Sequence, residues 1–226
     1  MIADVGCGTG HALVGLARTL PAGTKLIGIE PADGMRERAA ALAADTPAIE
    51  IKPGSFEQIP LEDSSVDFLF SIFAFHWSTD VEQGAREVAR VVRDGGMIDL
   101  CFIGRDNGRE FIRATSKIFL RYLGARGLLE AAQMRTQLTR DEAESLFAGA
   151  FGGDATVEVT ETHITYYDTL ERHWDWWVRI EGQFVSIPED TRDACAADVK
   201  RALAGLEAEG GIPYTLHELR VRLVAT

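Results

Sequence analysis

Three glycines, Gly6, Gly8 and Gly10, stand in G-x-G-x-G spacing near the start of the chain, with Asp4 just ahead of them. Glycines so placed let a strand-to-helix turn pass close to a ligand, where side chains would block the approach. A helix that begins near Gly10 directs N–H groups and a partial positive charge at the same loop. Alone, the triplet is equally compatible with a plain tight turn. Glu30 strengthens the binding reading. It ends the next apolar segment, about 20 residues beyond the loop, where a carboxylate can hold the two hydroxyls of a ribose. The competing reading makes Glu30 a solvated strand-end residue. Dinucleotide loops read G-x-G-x-x-G, so this spacing points to a different ligand class.

Regular elements must hold these residues in place. Met1 to Val5 is a stub of strand. Gly10 to Leu20 reads as a helix, with Leu13, Leu16, Ala17 and Leu20 on one face. Lys25 to Glu30 is a buried strand, Asp33 to Ala44 a helix, and Ile49 to Lys52 a short strand. The apolar run VDFLFSIFAF, Val66 to Phe75, is the best central-strand candidate. Asp80 opens a helix with Gln83 in capping-box spacing. Asp94-Gly95-Gly96 reads as a turn into the strand Met97 to Ile103. Strands alternating with helices predict a parallel sheet covered on both faces.

The rhythm changes after Ile103. Helices are predicted over Gly108 to Leu123, Leu128 to Arg135 and Thr139 to Phe151, the last with Thr139 and Glu142 in capping-box spacing. Thr156 to Tyr166 alternates like a strand with one solvated face. Helices over Thr169 to Gly182 and Glu189 to Glu209 follow, then a second alternating stretch, Leu216 to Ala225. The expected fold is one Rossmann-like α/β domain. It has a seven-stranded, mostly parallel sheet with an antiparallel C-terminal edge strand. Residues 1–103 form the ligand-binding core, 104–154 a helical insertion, and 155–226 the remaining strands and helices. The insertions after the fifth and sixth strands are expected to cap the C-terminal strand ends.

Composition narrows the function classes. The chain has 226 residues, 46% hydrophobic and 26% charged, which suits a sizeable core. The formal net charge of -12 repels polyphosphate and argues against nucleic-acid binding. No apolar run approaches the roughly 20 residues that span a bilayer. Cys7, Cys101 and Cys195 lack metal-like spacing and suggest reduced thiols in a cytoplasmic protein. His11, His76, His163, His173 and His217 form no H-x-x-x-H pair, so no metal site is expected.

Four stretches in order carry a resemblance: DVGCGTG at the first strand, IEPADGM after the second, GSFEQIPLEDSSVDFLFS through the fourth, and REVARVVRDGG before the fifth. Together they resemble the class I S-adenosylmethionine-dependent methyltransferases over residues 1–103. The resemblance implies that Asp4, Gly6, Cys7, Gly8 and Gly10 surround the methionine part of S-adenosyl-L-methionine, which leaves as S-adenosyl-L-homocysteine. Glu30 would bind the ribose, with Pro31 and Met35 packing nearby. Gly54, Ser55 and Phe56 would flank the adenine. Many relatives carry an Asp where Ser55 stands. Ser71, Ile72 and Phe73 would lie beside the sulfonium.

The acceptor side is read from FAFHWSTD. His76 is open to three readings: a general base, a hydrogen-bonding and packing wall shared with Trp77, or a loop anchor. The layout after Thr156 is similar to the trans-aconitate and malonyl-carrier-protein methyltransferases, which methylate carboxylates. A carboxylate is already ionised near neutral pH, so it would need a cation rather than a base. Arg105 is the best-placed cation, followed by Arg113, Arg121 and Arg179, each with a solvated-charge alternative. The HWDWW cluster, with Leu170, Trp174, Trp177 and Val178 on one helical face, reads as core packing or as a substrate wall. The expected activity is methyl transfer to a small molecule, with a small acid leading. An O-, N- or C-methyltransferase acting on a natural-product or lipid-precursor hydroxyl, amine or carbon is the rival. In relatives a helix ahead of the first strand helps cover the cofactor. The short front of this chain therefore also admits a protein that holds the cofactor without turnover.

Overall fold

The computed structural model describes residues 1–132, 135–152, 156–180 and 186–225, apart from the side chains of residues 132 and 176–180. Its strands are β1 (Ile2–Val5), β2 (Leu26–Ile29), β3 (Ile49–Lys52), β4 (Val66–Ile72), β5 (Val92–Ile103), β6 (Glu158–Asp168) and β7 (Ile212–Val224). Its helices are α1 (His11–Ala17), α2 (Asp33–Ala43), α3 (Val81–Val91), α4 (Arg109–Ala132), α5 (Arg140–Ala150), α6 (Leu170–Ile180) and α7 (Glu189–Ala204). The seven strands make one sheet in the order β3-β2-β1-β4-β5-β7-β6. β1 to β5 pair in parallel, and β7 runs antiparallel to β5 with Leu100 opposite Val221. β7 is thus the antiparallel strand, with β6 outside it at the edge.

The chain divides into two compact units: Met1–Gly104 with Thr136–Glu161 and Glu218–Thr226, and Arg105–Arg135 with Thr162–His217. In the first unit the sheet is buried on both faces. Ile27 and Leu69 enter one apolar cluster, with Val88 of α3 and Phe147 of α5. Their strand neighbours Leu26 and Phe70 enter the other, with Leu13 of α1 and Ala39 of α2. Successive strand residues point to opposite faces, so continuous apolar strands feed two cores at once. The second unit has its own core, in which Phe111 and Phe119 of α4 pack with Cys195, Val199 and Leu203 of α7.

Helix ends follow the sequence closely. The side chain of Asp80 accepts the Gln83 N–H at 2.9 Å, capping α3. Thr139 and Glu142 form a reciprocal capping box at the start of α5. The break expected after Leu123 is present as a non-helical Gly124 (φ 68°, ψ 174°) within α4.

Three expectations are corrected. Asp94-Gly95-Gly96 is not a turn. β5 begins at Val92 and runs through it, because Gly95 takes a positive φ of 73° and still donates its N–H to Ala225. β4 stops at Ile72, short of Phe75, because Phe73 adopts φ 54° and a 3-10 turn (Phe75–Trp77) follows. β6 does not bury one face, since Val159 is its only buried residue.

Candidate active site

The glycine loop leaves β1 at the sheet's point of reversal, with β2 on one side and β4 on the other. Crevices at the carboxyl ends of such strands are where open α/β sheets bind ligands. Gly6, Gly8 and Gly10 all have positive φ (77°, 57° and 80°), which only glycine adopts cheaply. A Cβ on Gly6 would overlap the Cβ of Ala74, so glycine also lets this turn press against the segment after β4. A Cβ on Gly8 would meet only open space. Backbone faces the crevice there.

Two buried acids line the loop. Glu30 follows β2 and accepts hydrogen bonds from the N–H groups of Gly8 and Ala32, each at 3.0 Å. The contact between Glu30 and Gly8 brings together the two features that the sequence paired. Asp4 is 2% exposed and Glu30 6%. Burial, reinforced by the Glu30 carboxylate, pushes the Asp4 carboxyl up to about 7. Burial, then the same two acids, push the Cys7 thiol up to about 12. The N–H groups of Gly6 and Cys7 both donate to the Ile29 carbonyl, which ties the loop to β2. Pro31 and Met35, at the start of α2, are exposed.

The residues expected at the adenine and the sulfonium divide. Ser55 and Gln58 exchange backbone hydrogen bonds at 3.2 and 3.3 Å, closing the 55–58 loop on itself, next to Gly54. Phe56 is 5% exposed and meets Phe75 edge-on, with ring centroids 4.9 Å apart. It belongs to the core. Ser71 is buried and donates its hydroxyl to the Val5 carbonyl at 2.7 Å, joining β4 to β1. Ile72 and Phe73 are half-exposed, as is Trp77.

His76 is buried, and its Nδ1 accepts the Ile103 N–H at 3.5 Å. A neutral ring that accepts at Nδ1 carries its proton on Nε2. Its Nδ1 is turned toward β5. The His76 carbonyl accepts the N–H of Thr136 at 3.0 Å. The His76 and Trp77 rings lie 5.3 Å apart.

The cationic candidates fall in the second unit. Arg105 and Arg113 are exposed. Arg121 pairs with Asp198 at 3.1 Å and is committed there. The side chain of Arg179 lies outside the described residues, as do those of Trp177 and Val178. Trp174 and Leu170 pack against the second unit's core, and Lys200 lies over the Trp174 ring. At Trp174 the packing role is the one observed.

Sequence spacing missed two groupings. Asp106, His163 and His217 converge within 4.8 Å, although they lie far apart in the chain. The two imidazoles stack at 4.3 Å with planes only 16° apart, and the His217 Nδ1 accepts the Asp106 N–H at 2.9 Å. Ring-nitrogen lone pairs lie in the ring planes, so the two stacked rings hold theirs in separate, nearly parallel planes. The second is Glu57, whose carboxylate collects donors from Ser78, Thr79 and Asp80. No residue-type pattern flags either.

Comparison with known proteins agrees with this geometry. Residues 3–99 match the family model described as a methyltransferase domain. A malonyl-[acyl-carrier protein] O-methyltransferase of Dechloromonas aromatica is 36% identical over 101 residues, 45% of this chain and 36% of that protein. The crystal structure of the YcgJ protein from Bacillus subtilis superposes with a TM-score of 0.68 at 18% identity, covering 99% of this chain and 90% of that one. A phosphoethanolamine N-methyltransferase 2 from Haemonchus contortus, solved with S-adenosylhomocysteine, shares the fold with a TM-score of 0.60 at 14% identity, over 99% of this chain and 48% of its own. The chain spans less than half the length of the curated relatives it matches first. The glycine turn and the buried acid at the end of β2 both lie within residues 3–99, the part of the chain that matches a methyltransferase domain.

Proposed function

We propose that the chain binds S-adenosylmethionine in the β1–β2–β4 crevice and transfers its methyl group to a small-molecule acceptor, with the carboxylate of a small acid as the first candidate. The observation that carries the cofactor site is the Glu30 carboxylate held against the Gly8 N–H, beside a glycine turn that presents backbone to open space. When bound, S-adenosylmethionine supplies an electrophilic methyl on a sulfonium.

This chain's residues fit that group. Glu30 offers carboxylate oxygens to ribose hydroxyls. The Gly6–Gly10 backbone leaves room for the methionyl part. Ile72, Phe73 and Trp77 present apolar and aromatic surface, which excludes water. Aromatic faces near a cation contribute about 0.5–2 kcal/mol. Alignment of the reacting atoms contributes roughly 7–11 kcal/mol.

The His76 geometry favours an acceptor that arrives ionised. A base would have to give up the Ile103 N–H before taking a proton at Nδ1. A carboxylate needs no such step. The loop-anchor and hydrogen-bonding roles of His76 are the ones its contacts support, with Trp77 as acceptor wall.

The test starts with calorimetry using S-adenosylhomocysteine, which should bind to the parent and not to Glu30→Ala. Methyl-labelled S-adenosylmethionine is then incubated with a panel of small mono-, di- and tricarboxylates. A labelled product released by mild alkali supports the ester. An alkali-stable product overturns it in favour of hydroxyl, amine or carbon methylation.

A further inference from the structure

We infer that Glu57 is a positioning residue that couples the cofactor's adenine side to the acceptor-facing turn. The inference rests on the cofactor reading above, in which the loop around Gly54, Ser55 and Phe56 flanks the adenine.

The 3-10 turn Phe75–Trp77 carries both His76 and Trp77, and two consecutive residues of the 55–58 loop hold its two ends. At the near end, Phe75 is fully buried and packs perpendicular to Phe56. At the far end, Oε1 of Glu57 accepts from the Ser78 hydroxyl at 2.8 Å, the Thr79 N–H at 2.7 Å, the Thr79 hydroxyl at 3.2 Å and the Asp80 N–H at 3.4 Å. Ser78 closes the turn, and Asp80 caps α3. One carboxylate oxygen therefore gathers the whole link between the turn and the helix.

The loop at the other end of this linkage is stiff. The paired Ser55–Gln58 backbone bonds close it into one unit. Burial opposes ionisation of Glu57, yet the hydroxyls of Ser55 and Ser78 and the N–H groups of Glu57 and Thr79 outweigh it and hold the carboxyl down to about 2. The carboxylate stays ionised near neutral pH, with its donors in place. On this inference, a displacement of the 55–58 loop on cofactor binding is passed to residues 75–80 through Phe56 and Glu57. Gly84 of α3 packs under the same contact, near Phe56, Phe75 and Ser78.

A purely structural role predicts lost stability and nothing more. Coupling predicts a response at Trp77 when the cofactor site fills. The full chain is labelled with 5-fluorotryptophan, which gives one resonance for each of its four tryptophans. Trp77 is assigned with Trp77→Phe. S-adenosylhomocysteine is titrated by fluorine NMR and, in parallel, by calorimetry.

In the parent the Trp77 resonance should shift on saturation. In Glu57→Gln, whose amide oxygen accepts from the same donors, the shift should persist. In Glu57→Ala it should fall to about a fifth or less, the low end of typical coupling between sites, while the ligand still binds. Saturable binding without a Trp77 shift in the parent overturns the coupling, whether or not any variant folds. An equal shift in Glu57→Ala also overturns it. No binding to the parent overturns the cofactor site and this inference together.

Discussion

Asp4 is the residue where ionisation and folding meet most directly. Its carboxyl is buried beside Glu30 and pushed up to about 7. An unfolded chain would release that proton near pH 4. Between about pH 4 and 7 the folded state therefore holds a proton that the unfolded state has lost. This contribution to stability is complete below pH 4 and is lost as pH rises through 7, at about 1.4 kcal/mol per pH step. Asp4→Asn removes the ionisation and keeps the shape. Urea unfolding between pH 5 and 8 should show a flatter profile for the variant, with the gain largest at pH 8. A parallel profile would remove Asp4 as the titrating group. Glu57 has the opposite sign: its carboxyl is held down, so its contribution is present near neutrality and is lost only as pH falls toward about 2.

At the scale of elements, the end of β4 is the place to probe. Phe73 holds φ 54°, its N–H donates to the Cys101 carbonyl at 2.7 Å, and its side chain is 41% exposed. A left-handed residue with a Cβ costs about 1–2 kcal/mol. Strain of this kind collects at functional sites. Phe73→Gly relieves it and Phe73→Ala does not. The glycine variant should therefore be about 1 kcal/mol more stable than the alanine variant in urea unfolding. Equal stabilities would mean that the conformation is unstrained. The same strand shows what was legible. The alternation of apolar strands with capped helices is readable because local periodicity and capping chemistry specify it, as at Asp80 and Thr139. The start of β5 was hidden because Gly95-Gly96 has the composition of a turn, and only pairing with β7 reveals a strand. In the site, Gly8 and Glu30 were legible because a motif spacing joins them. The Ile103 N–H on His76 and the Glu57 cluster were not, because backbone donors carry no residue type and contacts between distant segments leave no spacing.

The whole chain is two compact units, each with its own apolar core. Every residue of the proposed cofactor site belongs to the first. A ligand at about a hundred times its Kd adds about 2.7 kcal/mol to whatever opens to release it. In hydrogen exchange, S-adenosylhomocysteine should slow the amides of β1, β2 and β4, while those around Val199 and Leu203 in α7 exchange as before. Equal slowing in both units would show that they open as one. No helix among the described residues is long and apolar enough to cross a membrane.

Cys7 gives the glycine loop a consequence of its own. A reactive sulfur here would compete with the acceptor for the donated methyl, and each such event would leave the protein permanently alkylated. Only the thiolate is a strong nucleophile. With the thiol pushed up to about 12 by burial and the neighbouring acids, about one molecule in a hundred thousand is ionised at neutral pH. Burial, with the acids that line the loop, thus keeps this thiol protonated. A Cys7 peptide that stays unmodified in mass spectra after prolonged incubation with S-adenosylmethionine is the expected outcome, and a methylated one would overturn it.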